Sequence, residues 1–112
     1  MSRKSPIELA KAYVEASNAH NLNTIETMLS VECRYHSSGV GDHVGRDAIL
    51  EMMRGFFDQN PDVHWDTRNW VKEGQDTVAF DFTISLPTGT SSGREWIQVD
   101  QEGLISRIRV AR

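Results

Sequence analysis

Apolar residues recur at helical spacing near the start of the chain. The sequence SPIE at residues 5–8 combines a serine that can cap a helix, a proline suited to the first helical position and a glutamate that can complete a capping box. A helix is therefore predicted from this point to about Ala19, with Tyr13 on its apolar stripe. A short second helix is predicted where Asn23 and Glu26 repeat the capping pattern.

The hydrophobic pattern changes after residue 30. Residues 31–37 alternate and are rich in β-branched and aromatic side chains, which predicts a strand that ends in a glycine-rich loop. Helical spacing returns after Gly45 and stops at Asn60 and Pro61, so a third helix is predicted between these points. The apolar residues of this helix are Ile49, Met52, Met53, Phe56 and Phe57.

The chain after Pro61 has the alternation that is typical of an antiparallel sheet. Strands are predicted at residues 63–71, 78–86, 94–100 and 104–110, separated by the turn segments KEGQD, PTGTSSG and QEG. Trp65 and Trp70 are an odd number of positions apart, so without a bulge one would face inward and the other outward. The order of elements predicts a single α+β domain over residues 1–112, with three helices on one face of a curved antiparallel sheet.

Composition and charge narrow the range of functions. The 112 residues fit one domain, and the apolar fraction of 38% and the charged fraction of 25% are ordinary for a globular protein. The formal net charge is -4 and the basic residues are scattered along the sequence, so we expect no nucleic-acid partner. Because Cys33 is the only cysteine and no apolar run has the length of a membrane span, we expect a cytoplasmic protein that does not bind membranes.

The segment CRYHSSGVGDHVGRDAI runs from the first strand into the third helix and contains His36, Asp42 and His43. His36 is the best candidate for a catalytic base, because imidazole titrates near neutral pH. Only one of Tyr35 and His36 can face inward, and if Tyr35 does so, His36 is an ordinary surface residue. Asp42 and His43 are further candidate metal ligands. Adjacent ligands are awkward, however, and the sequence has no zinc-protease motif, so no metal is predicted.

Glu95 and Tyr13 are the other candidates for chemistry. Glu95 has the same strand phase as Ile97 and Val99. If that side is the core, the carboxyl loses water, its pKa rises, and it can donate a hydrogen bond to a developing oxyanion. In the opposite phase, which is that of Trp96, Glu95 would be exposed. Tyr13 can donate a hydrogen bond from a pocket wall, or it can pack in the core with its hydroxyl satisfied.

Four segments of the chain resemble a known group of proteins. They are AYVEASNAHNLNTIETMLS, CRYHSSG, GRDAILEMMRGFF and WIQVDQEGLISRIRV. In this order they resemble the ketosteroid isomerase and SnoaL-like polyketide cyclase group of the nuclear-transport-factor-2-like superfamily. The resemblance covers nearly the whole chain and implies a cone-shaped α+β cup around an apolar pocket, with the three helices on the concave face and a homodimer formed through the sheet. The superfamily includes isomerases, cyclases, dehydratases, epoxide hydrolases and members without catalysis, so the resemblance is more specific for fold than for reaction.

The resemblance also implies roles for individual residues. Ketosteroid isomerases pair a general-base aspartate with an oxyanion hole made of a tyrosine and a protonated aspartate. By ungapped counting, Tyr13 lies at the position of that tyrosine and Glu95 at the position of the protonated acid. The position of the base falls on Ser37 when counted from the first helix and on His36 when counted back from Gly45, so the aspartate is absent in either case.

Two hypotheses of different class follow. The first is an isomerase or cyclase that acts on a small hydrophobic carbonyl compound without a cofactor, with His36 moving a proton and Tyr13 and Glu95 stabilising the enolate. The second is a binding or scaffold cup of the same fold without chemistry. Trp96 is predicted on the outer face of the sheet, at the dimer interface. The residues predicted to bind the small molecule are Tyr35, Ser37, Met53, Phe57, Phe80, Phe82 and Ile97.

Overall fold

Residues 4–112 are described by a computed structural model that contains three helices and one six-stranded sheet. The predicted domain also includes residues 1–3, which lie outside the described residues. The helices are α1 (Pro6–Asn18), α2 (Leu22–Met28) and α3 (Arg46–Gln59). The strands are β1 (Leu29–Ser37), β2 (Gly41–Val44), β3 (Trp65–Lys72), β4 (Thr77–Leu86), β5 (Gly89–Val99) and β6 (Ile105–Ala111).

The start of α1 confirms the predicted capping box. The Ser5 hydroxyl accepts a hydrogen bond from the backbone N–H of Glu8 at 3.3 Å, and the Glu8 carboxylate accepts one from the backbone N–H of Ser5 at 3.0 Å. The prediction for α2 was wrong by two residues, because Asn21 is its N-cap and accepts a hydrogen bond from Thr24 N–H at 3.2 Å. Both asparagines suit a cap, and the local sequence alone does not choose between them.

The sheet has the strand order β2-β1-β6-β5-β4-β3. The last four strands are antiparallel, as predicted, and β1 also pairs antiparallel with β2. The sheet is not wholly antiparallel, however, since β1 runs parallel to β6. A parallel partner distant in sequence leaves no turn signal between the two strands, so the hydrophobic pattern could not predict this pair.

Two further strand predictions need correction. The segment after His36 does not remain a loop, because Gly41–Val44 returns along β1 as the edge strand β2. Strand β5 begins at Gly89, five positions before the predicted start, and its first residues continue the ladder with β4. The glycines and serines of this segment have the composition of a turn, but their backbone groups pair across the hairpin.

The helices pack against one face of the sheet, which fits the predicted α+β cone. Strand β4 places alternate residues on this face, and they are fully or almost fully buried: Val78, Phe80, Phe82 and Ile84. Helices α1 and α3 cover them with Leu9, Tyr13, Val14, Ile49, Met53 and Phe57. The core is therefore a single layer between helices and sheet.

A bulge in β3 turns both of its tryptophans toward the helices. The register with β4 shifts between Arg68 and Val71, and Asn69 has a positive φ of 58°. Trp65 packs against Phe56 and Phe57, whereas the ring of Trp70 stacks on that of Phe80 with centroids 4.2 Å apart. The extra residue reverses the alternation, which is why the odd spacing does not separate the two rings.

None of the helices within residues 4–112 has both the length and the apolar character needed to cross a membrane.

Candidate functional site

A pocket lies between the helix layer and the sheet, with a cavity of about 50 Å³. Most of its lining is apolar and comes from α1, α3, β4 and the strand ends: Val14, Val40, Met52, Met53, Phe56, Phe57, Trp65, Phe82, Ile84 and Val110. Six polar residues also line it: Tyr13, Ser17, Tyr35, Ser37, Glu95 and Arg112. Such a volume holds about four water molecules, so a ring-sized ligand requires the flexible side chains of α3 to move.

Glu95 is the carboxyl group of this pocket. It pairs with Phe80 on β4 and with Val110 on β6, and only 4% of its surface is exposed. Of the two phases that the sequence left open, the inward one shared with the buried Ile97 is observed. Burial raises the pKa of Glu95 to about 8. No residue in the range 4–112 forms a hydrogen bond or an ion pair with its carboxyl oxygens, so no protein group offsets the loss of water.

Two phenols share the pocket with Glu95. Tyr13 on α1 is 5% exposed, and burial, followed by the charge of Glu95, raises its pKa well above the ordinary value. Burial and then the Glu95 charge also raise the pKa of Tyr35, whereas the positive charge of Arg112 opposes the increase. Both phenols therefore stay protonated at neutral pH and can donate hydrogen bonds. Tyr13 and Tyr35 both lie close enough to Glu95 for its charge to change their pKa values.

The structure places His36 outside the pocket. Strand β1 turns Tyr35 and Ser37 inward, and the side chain of His36 is 61% exposed on the opposite face. There its Nδ1 pairs with the Asp42 carboxylate across the β1–β2 hairpin. The expectation that His36 faces a bound ligand is corrected, because successive side chains of a strand point to opposite faces and Tyr35 occupies the inner one.

Ser37 occupies the inward position at the end of β1. Its side chain is buried, and its hydroxyl oxygen accepts a hydrogen bond from Gly39 N–H at 3.0 Å. Ser17 on α1 is also buried and donates to the backbone carbonyl of Tyr13 at 2.9 Å. A serine hydroxyl without a neighbouring base does not remove a proton from carbon, so Ser37 does not replace the missing aspartate.

Five of the seven predicted binding residues line the pocket. They are Tyr35, Ser37, Met53, Phe57 and Phe82. Phe80 and Ile97 lie on the same face of the sheet but outside the lining, in the packed part of the core. Strand phase identifies the face on which a side chain lies, but it does not give the position of a cavity along the strand.

Sequence reasoning missed several lining residues. Met52 and Phe56 lie one helical turn apart on α3, so helical spacing could have grouped them as a pocket wall. For Trp65 the sequence did not choose a face, because its odd spacing from Trp70 placed one ring inward and one outward without saying which. Arg112 follows Ile108 and Val110 at intervals of two, and this alternation could have placed it on the inner face.

The segment around His36 does not assemble a metal site. Within the described part of the chain, no three histidine, cysteine, aspartate or glutamate side chains come together as potential metal ligands. Cys33 is fully buried, and burial raises the pKa of its thiol to about 12. A thiol in this state is a packing group rather than a nucleophile.

Comparison with known proteins identifies related sequences and folds. The family model of the SnoaL-like domain matches residues 10–108. No curated protein sequence matches the chain.

Several solved structures share the fold at low sequence identity. A cystatin-fold protein from Novosphingobium aromaticivorans is 17% identical, with a TM-score of 0.86 over 97% of this chain and 99% of that one. The epoxide hydrolase/cyclase-like enzyme SalBIII, which has a role in pyran ring formation in polyether salinomycin, is 16% identical, with a TM-score of 0.83 over 95% and 88% of the two chains. A candidate ketosteroid isomerase from Kribbella flavida is 18% identical, with a TM-score of 0.81 over 92% and 73%. These similarities identify the fold.

Proposed function

We propose that this chain, which belongs to the SnoaL-like domain family, is a pocket enzyme that moves a proton on a small hydrophobic carbonyl compound. Glu95 is the acid–base group of this proposal. The observation that supports it is the burial of the Glu95 carboxyl in an apolar pocket beside two phenols. Among the lining residues that the structure describes, Glu95 is the one carboxyl or imidazole group.

The proposed reaction is the shift of a double bond in a β,γ-unsaturated ketone. The ionised Glu95 carboxylate removes a proton from the α-carbon, and the electron pair of the broken C–H bond delocalises into a dienolate. A phenol of Tyr13 or Tyr35 donates a hydrogen bond to the oxygen on which charge develops. Glu95 then returns the same proton to the γ-carbon, which gives the conjugated ketone and the original carboxylate.

The pKa of Glu95 suits this role. A base is most effective when its pKa lies near the working pH, and burial brings this carboxyl to about 8. Because the reaction uses the ionised form, its rate should rise with pH and level off above about 8. This assignment moves the proton-transfer role from His36, which faces away from the pocket, to Glu95.

The test uses a small β,γ-unsaturated cyclohexenone, whose conversion to the conjugated isomer is followed by ultraviolet absorbance. We expect Glu95→Gln to lower kcat/KM by a factor of about 10² to 10⁴, the usual contribution of a general base. Glu102→Gln, which changes an exposed carboxyl in the β5–β6 turn, and His36→Ala should leave the rate unchanged.

Deuterium exchange at the α-carbon of cyclopentanone, followed by NMR, tests proton removal without the double-bond shift. Equal rates for Glu95→Gln and Glu102→Gln in both assays would contradict the proposal. Failure of the wild-type protein to accelerate either reaction would favour the second hypothesis, a binding cup of the same fold without chemistry.

A further inference from the structure

Arg112 is a cationic residue at the edge of the pocket whose role the proposed reaction leaves open. It follows Val110 on the inner face of the sheet and lines the pocket, although it is itself exposed. Glu95 pairs directly with Val110, so Arg112 is its diagonal neighbour, and such residues have Cα atoms roughly 7–8 Å apart. The pocket thus has a carboxyl group inside and a guanidinium at its mouth.

Two glycines make room for the side chain of Arg112. A Cβ atom at Gly39 would collide with the guanidinium Nη2, and one at Gly93 would lie 2.9 Å from Cγ of the arginine. The backbone N–H of Arg112 donates to the Ser38 hydroxyl at 3.1 Å, which fixes the backbone from which the side chain extends. The side chain therefore lies in a groove that two neighbouring backbone segments leave open.

No aspartate or glutamate side chain within residues 4–112 pairs with Arg112. Arg94, on the outer face, pairs with Asp81 at 2.8 Å and with Glu73 at 3.5 Å, whereas no such ion pair forms at the Arg112 guanidinium. The effect of Arg112 on the pKa of Tyr35 indicates that its field reaches into the pocket. An unpaired guanidinium beside an apolar cavity can bind an anion strongly, because it offers two parallel N–H donors to a carboxylate.

We propose that the pocket takes a small hydrophobic carboxylate, whose anionic group pairs with Arg112 at the mouth while its apolar body lies against Met52, Phe56 and Trp65. This inference names the substrate class of the proposed enzyme and rests on the same pocket. The ligand combines an α-carbon that reaches Glu95 and a carbonyl that reaches the phenols with a carboxylate at Arg112. The short diagonal between Glu95 and Arg112 favours a small keto acid. Pairing with Arg112 compensates the charge of the ligand, so this charge does not prevent the ionisation of Glu95 that the proposed reaction requires.

The test measures binding alone, by calorimetric titration at low ionic strength and neutral pH. The probes are cyclohexanecarboxylate and cyclohexanecarboxamide, which have nearly the same shape and differ in charge. We expect the wild-type protein to prefer the carboxylate by roughly tenfold to a hundredfold, the range of a hydrogen bond to a charged group. Arg112→Gln should abolish the preference, and Arg107→Gln, on the outer face of the same strand, should retain it.

Gly39→Ala provides a variant that keeps the charge. The new Cβ displaces the guanidinium, and the backbone of Gly39 is not in the positive-φ region, so alanine fits without backbone strain. We expect the preference for carboxylate to fall although the net charge is unchanged. Weak or absent binding of the carboxylate to the wild-type protein, equal binding of the two probes, or equal losses in Arg112→Gln and Arg107→Gln would each overturn the inference.

These outcomes are separate from those of the proposed reaction. Isomerisation that depends on Glu95, without a preference for carboxylates, would overturn this inference and leave the proposed function standing. A preference that depends on Arg112, in a protein without proton-transfer activity, would overturn the proposed function and leave this inference standing.

Discussion

Glu95 is a carboxyl group that folding removes from water, and its pKa of about 8 exceeds the ordinary value of 4.5. Between these values the folded protein holds a proton that the unfolded chain releases. The free energy of unfolding therefore falls as pH rises from about 4.5 to 8, with a slope of at most about 1.4 kcal/mol per pH unit, and this contribution is constant above that range.

Glu95→Gln should remove this part of the pH dependence, since glutamine has no proton to lose in that range. Urea unfolding at a series of pH values checks the expectation, with Glu102→Gln as the exposed control. Parallel pH profiles for wild type and Glu95→Gln would show that the carboxyl is hydrated in the folded state.

Single residues also mark the limits of sequence reasoning about the site. Helical spacing placed Tyr13 on the apolar stripe of α1, whereas strand phase left Glu95 either inward with Ile97 or exposed. For Tyr35 and His36 the same reasoning left two alternatives, since each residue suits either face of a strand. The packing of α3 against β1 covers the face that carries Tyr35, and this decided in favour of Tyr35.

Among the elements, β3 depends most clearly on one backbone conformation. Asn69 has a φ of 58°, in the left-handed region that asparagine and glycine tolerate and β-branched residues do not. Its side chain also donates to the Asp81 carboxylate at 2.9 Å. This conformation keeps both Trp65 and Trp70 on the inner face of the sheet.

We expect Asn69→Val to be less stable than Asn69→Gly by about 1–2 kcal/mol, because a positive φ is strained for valine but not for glycine. Both variants lose the hydrogen bond to Asp81, so the comparison isolates the backbone effect. Urea unfolding gives the stabilities, and near-ultraviolet circular dichroism reports whether Trp70 still stacks on Phe80. Equal stabilities would mean that the bulge relaxes without cost.

At the scale of the whole molecule, the outer face of the sheet has an aromatic and cationic surface. Trp96 is half-buried there, with the Arg109 guanidinium 4.3 Å and that of Arg94 5.8 Å from its ring. Arg34 and Arg107 are neighbours across the β1–β6 ladder and are exposed. The tertiary structure thus brings together basic residues that are scattered in the sequence.

We propose that two copies of the chain pair through this face, with Trp96 at the centre of the contact. Trp96→Ala should weaken association by about tenfold or more, as expected for a central aromatic residue, whereas Trp96→Phe should retain much of it. Because a two-fold contact brings like charges of the two copies together, added salt should strengthen the dimer. Sedimentation equilibrium at several salt concentrations checks both expectations, and a monomer under all conditions would contradict the proposal.

The sequence by itself determined the elements whose signals are local. The capping box of α1, the apolar stripe of α3 and the alternation of β4 each lie within a few consecutive residues, so propensity and periodicity were sufficient to predict them. The sequence also placed Glu95 in phase with Ile97 and Val99, but it left open whether that side of the strand was the core.

Only the tertiary structure decided what depends on contacts distant in sequence. Strand β1 pairs in parallel with β6, and Arg112 approaches Gly39; both contacts join segments separated by some 70 residues of chain. The inward orientation of Tyr35 likewise depends on how β1 packs in the folded protein. Such contacts form when the strands assemble into one sheet, and the free energy of this assembly is shared among many residues and leaves no local pattern. The chemical groups of the candidate site were therefore visible in the sequence, and the choice of which groups share one pocket was made by packing.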